Sequence, residues 1–308
     1  ARLLREFAPL VGLKENYTIY DVDDSRNTLK GVVDRMKIDL MHHNVRQVHE
    51  AISWAKNKLI TPDQYQPQTG SLLGNIVAKV YGEYQSALLR SNAVDFDDLL
   101  MHVALLLKDN PAVRTALDER FRYILVDEYQ DTNLVQYAIA RAMSINHPNL
   151  VVTGDPDQSI YGWRGADISN ILDFEHDYPN VRIFRLEQNY RSTKNILFVA
   201  SKLIVHNTQR KHKELFTDNE EGIAVRLVGY TDHKEEALDI AEQIQAAVES
   251  GERRYSDFAI FYRVNALSRT FEHTLRQSGV PFQLVHALEF YQRKEIRDIR
   301  AYLQLLNN

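Results

Sequence analysis

The sequence predicts an α/β protein built on parallel sheet, with a helical subdomain set into its first half. Short apolar runs at Tyr123–Val126, Leu150–Thr153 and Val181–Leu186 read as buried strands, and helical stretches at about 133–143 and 168–176 separate them. Strand alternating with helix implies parallel βαβ units. The same alternation resumes after residue 190, whereas residues 14–92 carry helical periodicity and no convincing strand run.

Within 14–92, Val45, Val48, Ile52, Ala55 and Leu59 recur at helical spacing, with Asn44 as N-cap and Thr61-Pro62 as the stop. Trp54 is expected to pack against the neighbouring helix, and Leu72 to Leu89 reads as a second long helix. Asp95 then caps a helix running through Leu107. Beyond the third strand come a helix at about 193–206, a strand at Ala224–Val228, a helix at about 234–250 and a strand at Phe258–Tyr262. A helix at about 266–277, a strand at Phe282–Val285 and a helix at about 293–306 follow. The opening Ala1-Arg-Leu-Leu-Arg-Glu-Phe7 has the pattern of a helix interior rather than of a signal or transit peptide, so the true amino terminus is expected upstream.

A length of 308 residues suits about two domains at ~150 residues each. The apolar share (44%) and charged share (26%) are those of an ordinary globular protein, which sets aside disordered and membrane classes. No apolar run approaches the ~20 residues of a membrane span. The absence of cysteine removes disulfides and thiolate metal sites and fits a reducing cytoplasm, the expected location. A net charge of −5 argues against a coat of basic patches but leaves room for a narrow DNA channel. The histidines show no ligand spacing, so no structural metal is expected.

The chemistry concentrates where strands end. The run Tyr123-Ile-Leu-Val-Asp-Glu-Tyr-Gln-Asp-Thr-Asn133 closes its strand on two carboxylates, Asp127 and Glu128. Ligands of open α/β sheets bind beyond the carboxyl ends of strands. A nucleotide-hydrolysing enzyme needs one carboxylate there to hold Mg²⁺ and another to orient water. The competing reading is that the acidic cluster only caps the next helix through Asp131 and Thr132. The partner motif, Gly-x-x-x-x-Gly-Lys-Ser/Thr, does not occur, since none of the 12 glycines is followed by lysine.

The second strand runs into Gly154-Asp-Pro-Asp-Gln-Ser-Ile-Tyr-Gly-Trp-Arg-Gly-Ala166. Gln158 can donate to a phosphate or accept from water. Tyr161, Trp163 and Arg164 suit stacking on unpaired bases, worth ~1–3 kcal/mol per base. The alternative, that Tyr161 and Trp163 are core residues under the loop, fits poorly with a segment rich in glycine. The third strand runs into Leu186-Glu-Gln-Asn-Tyr-Arg-Ser192, which sets Arg191 just ahead of an expected N-cap, Ser192, where phosphate oxygens bind well. The alternative there is a surface pair between Arg191 and Glu187. Arg210-Lys-His-Lys213 reads as a solvated loop, with DNA phosphate contact as the alternative.

Taken together, these three segments resemble motifs II, III and IV of the UvrD/Rep/PcrA group of superfamily 1 DNA helicases, in order and spacing. Asp95-Phe-Asp-Asp-Leu99 and Phe290-Tyr-Gln-Arg-Lys-Glu-Ile-Arg-Asp298 are similar to further blocks of that family, so the likeness extends along the whole chain. The resemblance implies P-loop NTPase architecture: two RecA-like parallel-sheet motor domains, each carrying a helical insertion, with ATP between them and single-stranded DNA across both. By that likeness, residues 1–13 and 93–187 are part of the first motor domain, 14–92 its helical insertion, and 188–308 part of the second.

The family's roles, carried over, give Mg²⁺ to Asp127, the general base to Glu128, and γ-phosphate sensing to Gln158. They give base stacking to Tyr161 and Trp163, a link between loop and nucleotide to Arg164, adenine stacking to Tyr190, and a γ-phosphate contact to Arg191. Arg263 and Asn265 would meet DNA in the second domain. The resemblance further implies 3′ to 5′ movement driven by ATP, action on single strands and single/double-strand junctions, and repair proteins as partners. His286-Ala287 stand where relatives commonly show two glycines, which weakens the expected DNA contact there. Because the lysine cradle is missing, the chain is expected to be a piece of such a helicase, inactive by itself. The alternative is a non-catalytic DNA- or protein-binding module that keeps the fold, and a parent carrying a nuclease domain is a third reading.

Overall fold

A computed structural model of the chain describes residues 1–211, 213–285, 298–299 and 301–303, without the side chain of Arg164. The expected helix at 293–306, the pair His286-Ala287 and the block at 290–298 lie wholly or largely outside the described residues.

The chain opens with α1 (Arg2–Glu6) and β1 (Thr18–Ile19), then α2 (Val22–Arg35), α3 (Val45–Asn57) and α4 (Leu72–Arg90). There follow β2 (Ala93–Val94), α5 (Asp98–Asp109), α6 (Pro111–Arg120), β3 (Ile124–Val126), α7 (Leu134–Ala142) and β4 (Leu150–Val152). Two short helices, α8 (Ser169–Leu172) and α9 (Phe174–Asp177), precede α10 (Lys194–Ile204), α11 (His233–Glu249) and α12 (Ser268–Gln277). The fold separates into two compact units. The larger takes Ala1–Arg191 and Ala200–Asp218; the smaller takes Ser192–Val199 and the described chain from Asn219 through 285.

In the larger unit, β1 pairs with β2 in parallel, Thr18 opposite Ala93 and Ile19 opposite Val94. A parallel pair needs a crossover connection, and α2–α4 supply it, so the helical subdomain leaves from β1 and returns at β2. Thr18–Ile19 lies inside the stretch read as strandless. Two residues are too few for an alternation pattern to show. Asn44 caps α3 as expected, its side chain accepting from the Gln47 N–H while Gln47 returns a bond to the Asn44 N–H. The helix stops at Asn57, four residues before Thr61, where Leu59 takes φ +57°.

Val48, Ile52 and Ala55 meet Leu29, Val77, Val80, Tyr81, Tyr84 and Leu88 in the subdomain core. Trp54 does not join them and is 55% exposed. Two residues on from Ile52 is about 200° around a helix, the opposite face.

The joint between this subdomain and α5 is ionic. Lys56, fully buried, lies 2.7 Å from both Asp95 and Asp98. Tyr84 donates its hydroxyl to Asp95 at 3.0 Å, and Gln85 donates to Asp98 at 3.0 Å. Asp95 Oδ1 accepts from the Asp98 N–H at 2.8 Å, so Asp95 does serve the start of the helix. Burial pushes Asp95 up, but the Lys56 ammonium, the Asp98 N–H and the Tyr84 hydroxyl together outweigh it and hold that carboxyl low. At Asp98 burial wins and the carboxyl sits above its ordinary value.

β3 and β4 pair in parallel, Ile124 with Leu150 and Val126 with Val152. Val126 and Val152 pack toward Tyr129, Ile171 and Phe174. The other four expected strands form no ladder among the described residues. Val181–Leu186, Ala224–Val228, Phe258–Tyr262 and Phe282–Val285 are irregular, and an isolated bridge joins Gln188 to Phe216 outside them. Strand propensity is realised only against a paired neighbour, and Phe184, Leu186, Leu227 and Phe261 lie largely exposed. In the smaller unit, α11 and α12 pack through Ala237, Ala241, Ile244, Phe271 and Leu275.

Candidate active site

The β3–β4 pair carries the site at its carboxyl ends. The Tyr129 N–H donates to the Thr153 carbonyl at 2.9 Å, which holds the two strand exits side by side. Asp127 is exposed, and its Oδ1 accepts from the Thr153 hydroxyl at 2.5 Å and from the Glu128 N–H at 3.0 Å. Those two donors hold its carboxyl below the usual range, so it stays ionised. Glu128 takes a left-handed backbone, φ +51°, ψ 45°. A non-glycine residue there is strained by ~1–3 kcal/mol, a cost that clusters at functional sites.

Glu128 leads into a short turn, Tyr129–Asp131, and Gln130 folds back from that turn. Its Nε2 donates to Glu128 Oε2 at 2.7 Å, and its Oε1 accepts from the Asp155 N–H at 2.9 Å. Asp155 in turn accepts from Gln158 Nε2 at 2.8 Å. A continuous polar chain therefore joins Glu128, Gln130, Asp155 and Gln158. Asp131, beside the charge of Glu128, is raised, first by burial and then by that charge.

The helix cap that sequence reasoning gave to Asp131 or Thr132 belongs to Asn133, in a reciprocal pair with Gln136. Asn133 also donates to Asn57 at the end of α3, 2.5 Å away, and Asn57 donates to Asp97 at 2.9 Å.

Further along the loop, Trp163 is 64% exposed and Tyr161 37%, with ring centroids 6.5 Å apart. They are not core residues. The loop is gripped from 210–213, the segment read as solvated. Arg210 donates to Asp157 at 3.0 Å, and Lys213 pairs with Asp155 and lies 3.6 Å from Asp157. Burial pushes the Asp155 carboxyl up, but the Lys213 ammonium and the Gln158 amide hold it low. His212 lies outside the described residues, as does the side chain of Arg164.

Tyr190 and Arg191 close the first segment of the larger unit, both exposed. Tyr190 donates its hydroxyl to Gln188 at 2.7 Å, and the Arg191 N–H donates to Asn189 Oδ1 at 2.9 Å. Both of these bonds stay within the Gln188–Arg191 stretch. No ion pair joins Arg191 to Glu187 among the described residues, and α10 begins at Lys194, two residues past the expected cap. Arg263 and Asn265 are exposed in the smaller unit, with Asn265 opening a short turn that Ser268 closes onto its carbonyl at 2.7 Å.

Asp127 with its hydroxyl neighbour offers hard oxygen donors. An ionised, exposed carboxylate at a strand end fits Mg²⁺, which keeps several waters and takes one or two carboxylates. No cluster of three or more His, Asp or Glu arranged for an all-protein metal site occurs among the described residues. No described helix is long and apolar enough to cross a membrane.

Comparison with known families settles the kinship. Residues 1–179 match the UvrD/REP helicase N-terminal domain, and residues 184–308 match the UvrD-like helicase C-terminal domain. The chain belongs to the UvrD-like helicase family. It is 42% identical over 307 residues to the ATP-dependent DNA helicase PcrA of Bacillus subtilis, covering 100% of this chain and 42% of that protein. To the ATP-dependent DNA helicase UvrD1 of Mycobacterium tuberculosis it is 45% identical over 320 residues, covering 100% of this chain and 41% of the relative. The chain thus spans well under half the length of these relatives.

Sequence reasoning missed Gln130, Thr153 and Asp155, and it read Arg210 and Lys213 as solvated or DNA-facing rather than as partners of the β4 loop. Gln130 and Asp155 lie within the motifs already singled out, but their roles depend on side chains meeting across two strand exits. No spacing rule shows that.

Proposed function

We propose that this chain supplies part of an ATP-dependent DNA helicase or translocase that moves 3′ to 5′ on single-stranded DNA. In this reading it acts at single/double-strand junctions, with repair proteins as partners, in the cytoplasm. The observation that carries the proposal is the linked pair of strand exits. Two carboxylates close β3, and a polar chain connects them to a β4 loop bearing exposed Tyr161 and Trp163.

Bound Mg²⁺ would supply charge neutralisation for the β- and γ-phosphates. Asp127 holds that ion, kept ionised by Thr153. Glu128 takes the proton of the attacking water. Gln158 faces the γ-phosphate, and Arg191 contacts it from the second motor domain. Tyr190 stacks on adenine. Tyr161 and Trp163 stack on bases, with Arg164, Arg263 and Asn265 contacting DNA. The assignment of 1–13 with 93–187 and of 188–308 to two RecA-like motor domains, and of 14–92 to a helical insertion, belongs to the same proposal.

The test is hydrolysis by the full-length gene product. Glu128→Gln is expected to abolish DNA-stimulated ATP turnover while nucleotide binding persists, and undiminished turnover would refute the role. Residues 1–308 alone contain no Gly-Lys phosphate cradle and are expected to bind Mg-nucleotide weakly. Micromolar affinity in titration calorimetry would contradict that. The same feature favours a second reading, a non-catalytic DNA- or protein-binding module. A full-length reading frame without Gly-Lys-Ser/Thr would support it.

A further inference from the structure

We infer that Gln130 is a positioning residue, which fixes the carboxylate of Glu128 and ties it to the start of the β4 loop. The inference rests on the proposed role of Glu128 and adds what aims that side chain. Gln130 is 1% exposed, and both ends of its amide are used. Nε2 holds Glu128 Oε2 at 2.7 Å, and Oε1 takes the Asp155 N–H at 2.9 Å. Its main-chain carbonyl accepts from the Ser159 hydroxyl at 3.2 Å, a second tie to the same loop. Glutamate in its place has no donor for Glu128, and asparagine is one methylene short of spanning both partners.

Two further features point the same way. Glu128 has a left-handed backbone, so its side chain leaves the chain in a direction that neither the strand nor the following turn would impose. Its carboxylate therefore takes its direction from Gln130. Next, Gly154 leaves the space the amide fills. A Cβ there would lie 2.5 Å from Gln130 Oε1, 2.8 Å from Ile171 Cδ1 and 3.1 Å from the Tyr129 nitrogen. The absence of a Cβ there lets the glutamine amide, the Ile171 side chain and the Tyr129 nitrogen all close on that point.

The consequence is mechanical. Asp155 is held by Gln158 and by Lys213, so displacement of the loop moves the Asp155 N–H. Gln130 transmits that displacement to Glu128. Base stacking on Tyr161 and Trp163 and the aim of the general base are then coupled through one buried amide.

The experiment uses the full-length gene product and DNA-stimulated ATP turnover. Gln130→Ala, Gln130→Glu and Gly154→Ala are compared with wild type, and Glu128→Gln serves as control. Each of the three is expected to lower kcat roughly 10- to 100-fold, the size of one hydrogen bond to a charged group, with KM for ATP unchanged. The double variant Q130A/G154A is expected to be no worse than the worse single, because both act through the same amide. An additive loss, a KM effect with kcat intact, or full turnover in Q130E beside a dead E128Q would overturn the inference and leave the proposed function standing. Full turnover in E128Q would overturn both. If Q130A fails to fold, the isosteric Q130E and the adjacent G154A carry the test.

Discussion

Lys56→Met probes the joint between the helical subdomain and α5. Methionine keeps most of the stem volume, so little cavity forms and the loss is electrostatic. The ammonium 2.7 Å from each carboxylate disappears. Asp95 and Asp98, 5% and 0% exposed, keep Tyr84, Gln85 and two backbone N–H groups as donors. Removing one partner of a buried ion pair costs about 3–5 kcal/mol. Neutralising a carboxyl from an unfolded value near 3.9 sets a ceiling of about 4 kcal/mol at pH 7, at ~1.36 kcal/mol per unit.

The expected loss near 4 kcal/mol lowers the melting temperature by about 8–16 °C for a unit of this size. The pH dependence has a definite sign. In the variant, the folded-state carboxyls are raised, so they destabilise above the unfolded value and the penalty fades on acidification. At pH 5 the ceiling is about 1.5 kcal/mol, and the gap to wild type narrows. Differential scanning calorimetry at both pH values measures it. A variant melting within ~2 °C of wild type at pH 7, or a gap that widens at pH 5, refutes the reasoning.

Three further outcomes are expected. In a Trp54→Phe background, where Trp163 is the remaining tryptophan, Arg210→Ala with Lys213→Ala lowers the fluorescence anisotropy of Trp163, because the loop loses its ionic grip; unchanged anisotropy argues against the grip. In the same background, acid should loosen the loop: Asp155 is held low in the fold, so its contribution is present above the unfolded value near 3.9 and is lost as pH falls through its lower folded value. A Trp163 emission step in that range, absent in Asp155→Asn, reports it. Finally, Trp163→Ala weakens single-strand binding by the full-length gene product by ~1–3 kcal/mol, read from a filter or anisotropy titration, and equal affinity removes Trp163 from the DNA path.

Some of this was legible in the chain because it is local. The cap at Asn44, the helix from Leu72, the apolar runs before Asp127 and Gly154, and the order of the three polar segments each depend on residues a few positions apart. Short-range periodicity and capping chemistry report such features. The acidic strand end and the aromatic loop are local runs too, and their residue types carry the expectation of phosphate and base chemistry.

What the tertiary structure decided involves partners far apart in sequence. Gln130 meets Asp155, and Lys213 reaches back to the same aspartate. Lys56 is buried between two carboxylates some forty positions away. Trp54 faces solvent, although its neighbours along the helix are core. Among the described residues, four runs with strand composition pair with nothing in a ladder, since composition sets only the capacity to pair. A side chain's charge and size are written in the sequence, but which group lies 2.7 Å from Lys56 is set by how the chain closes on itself.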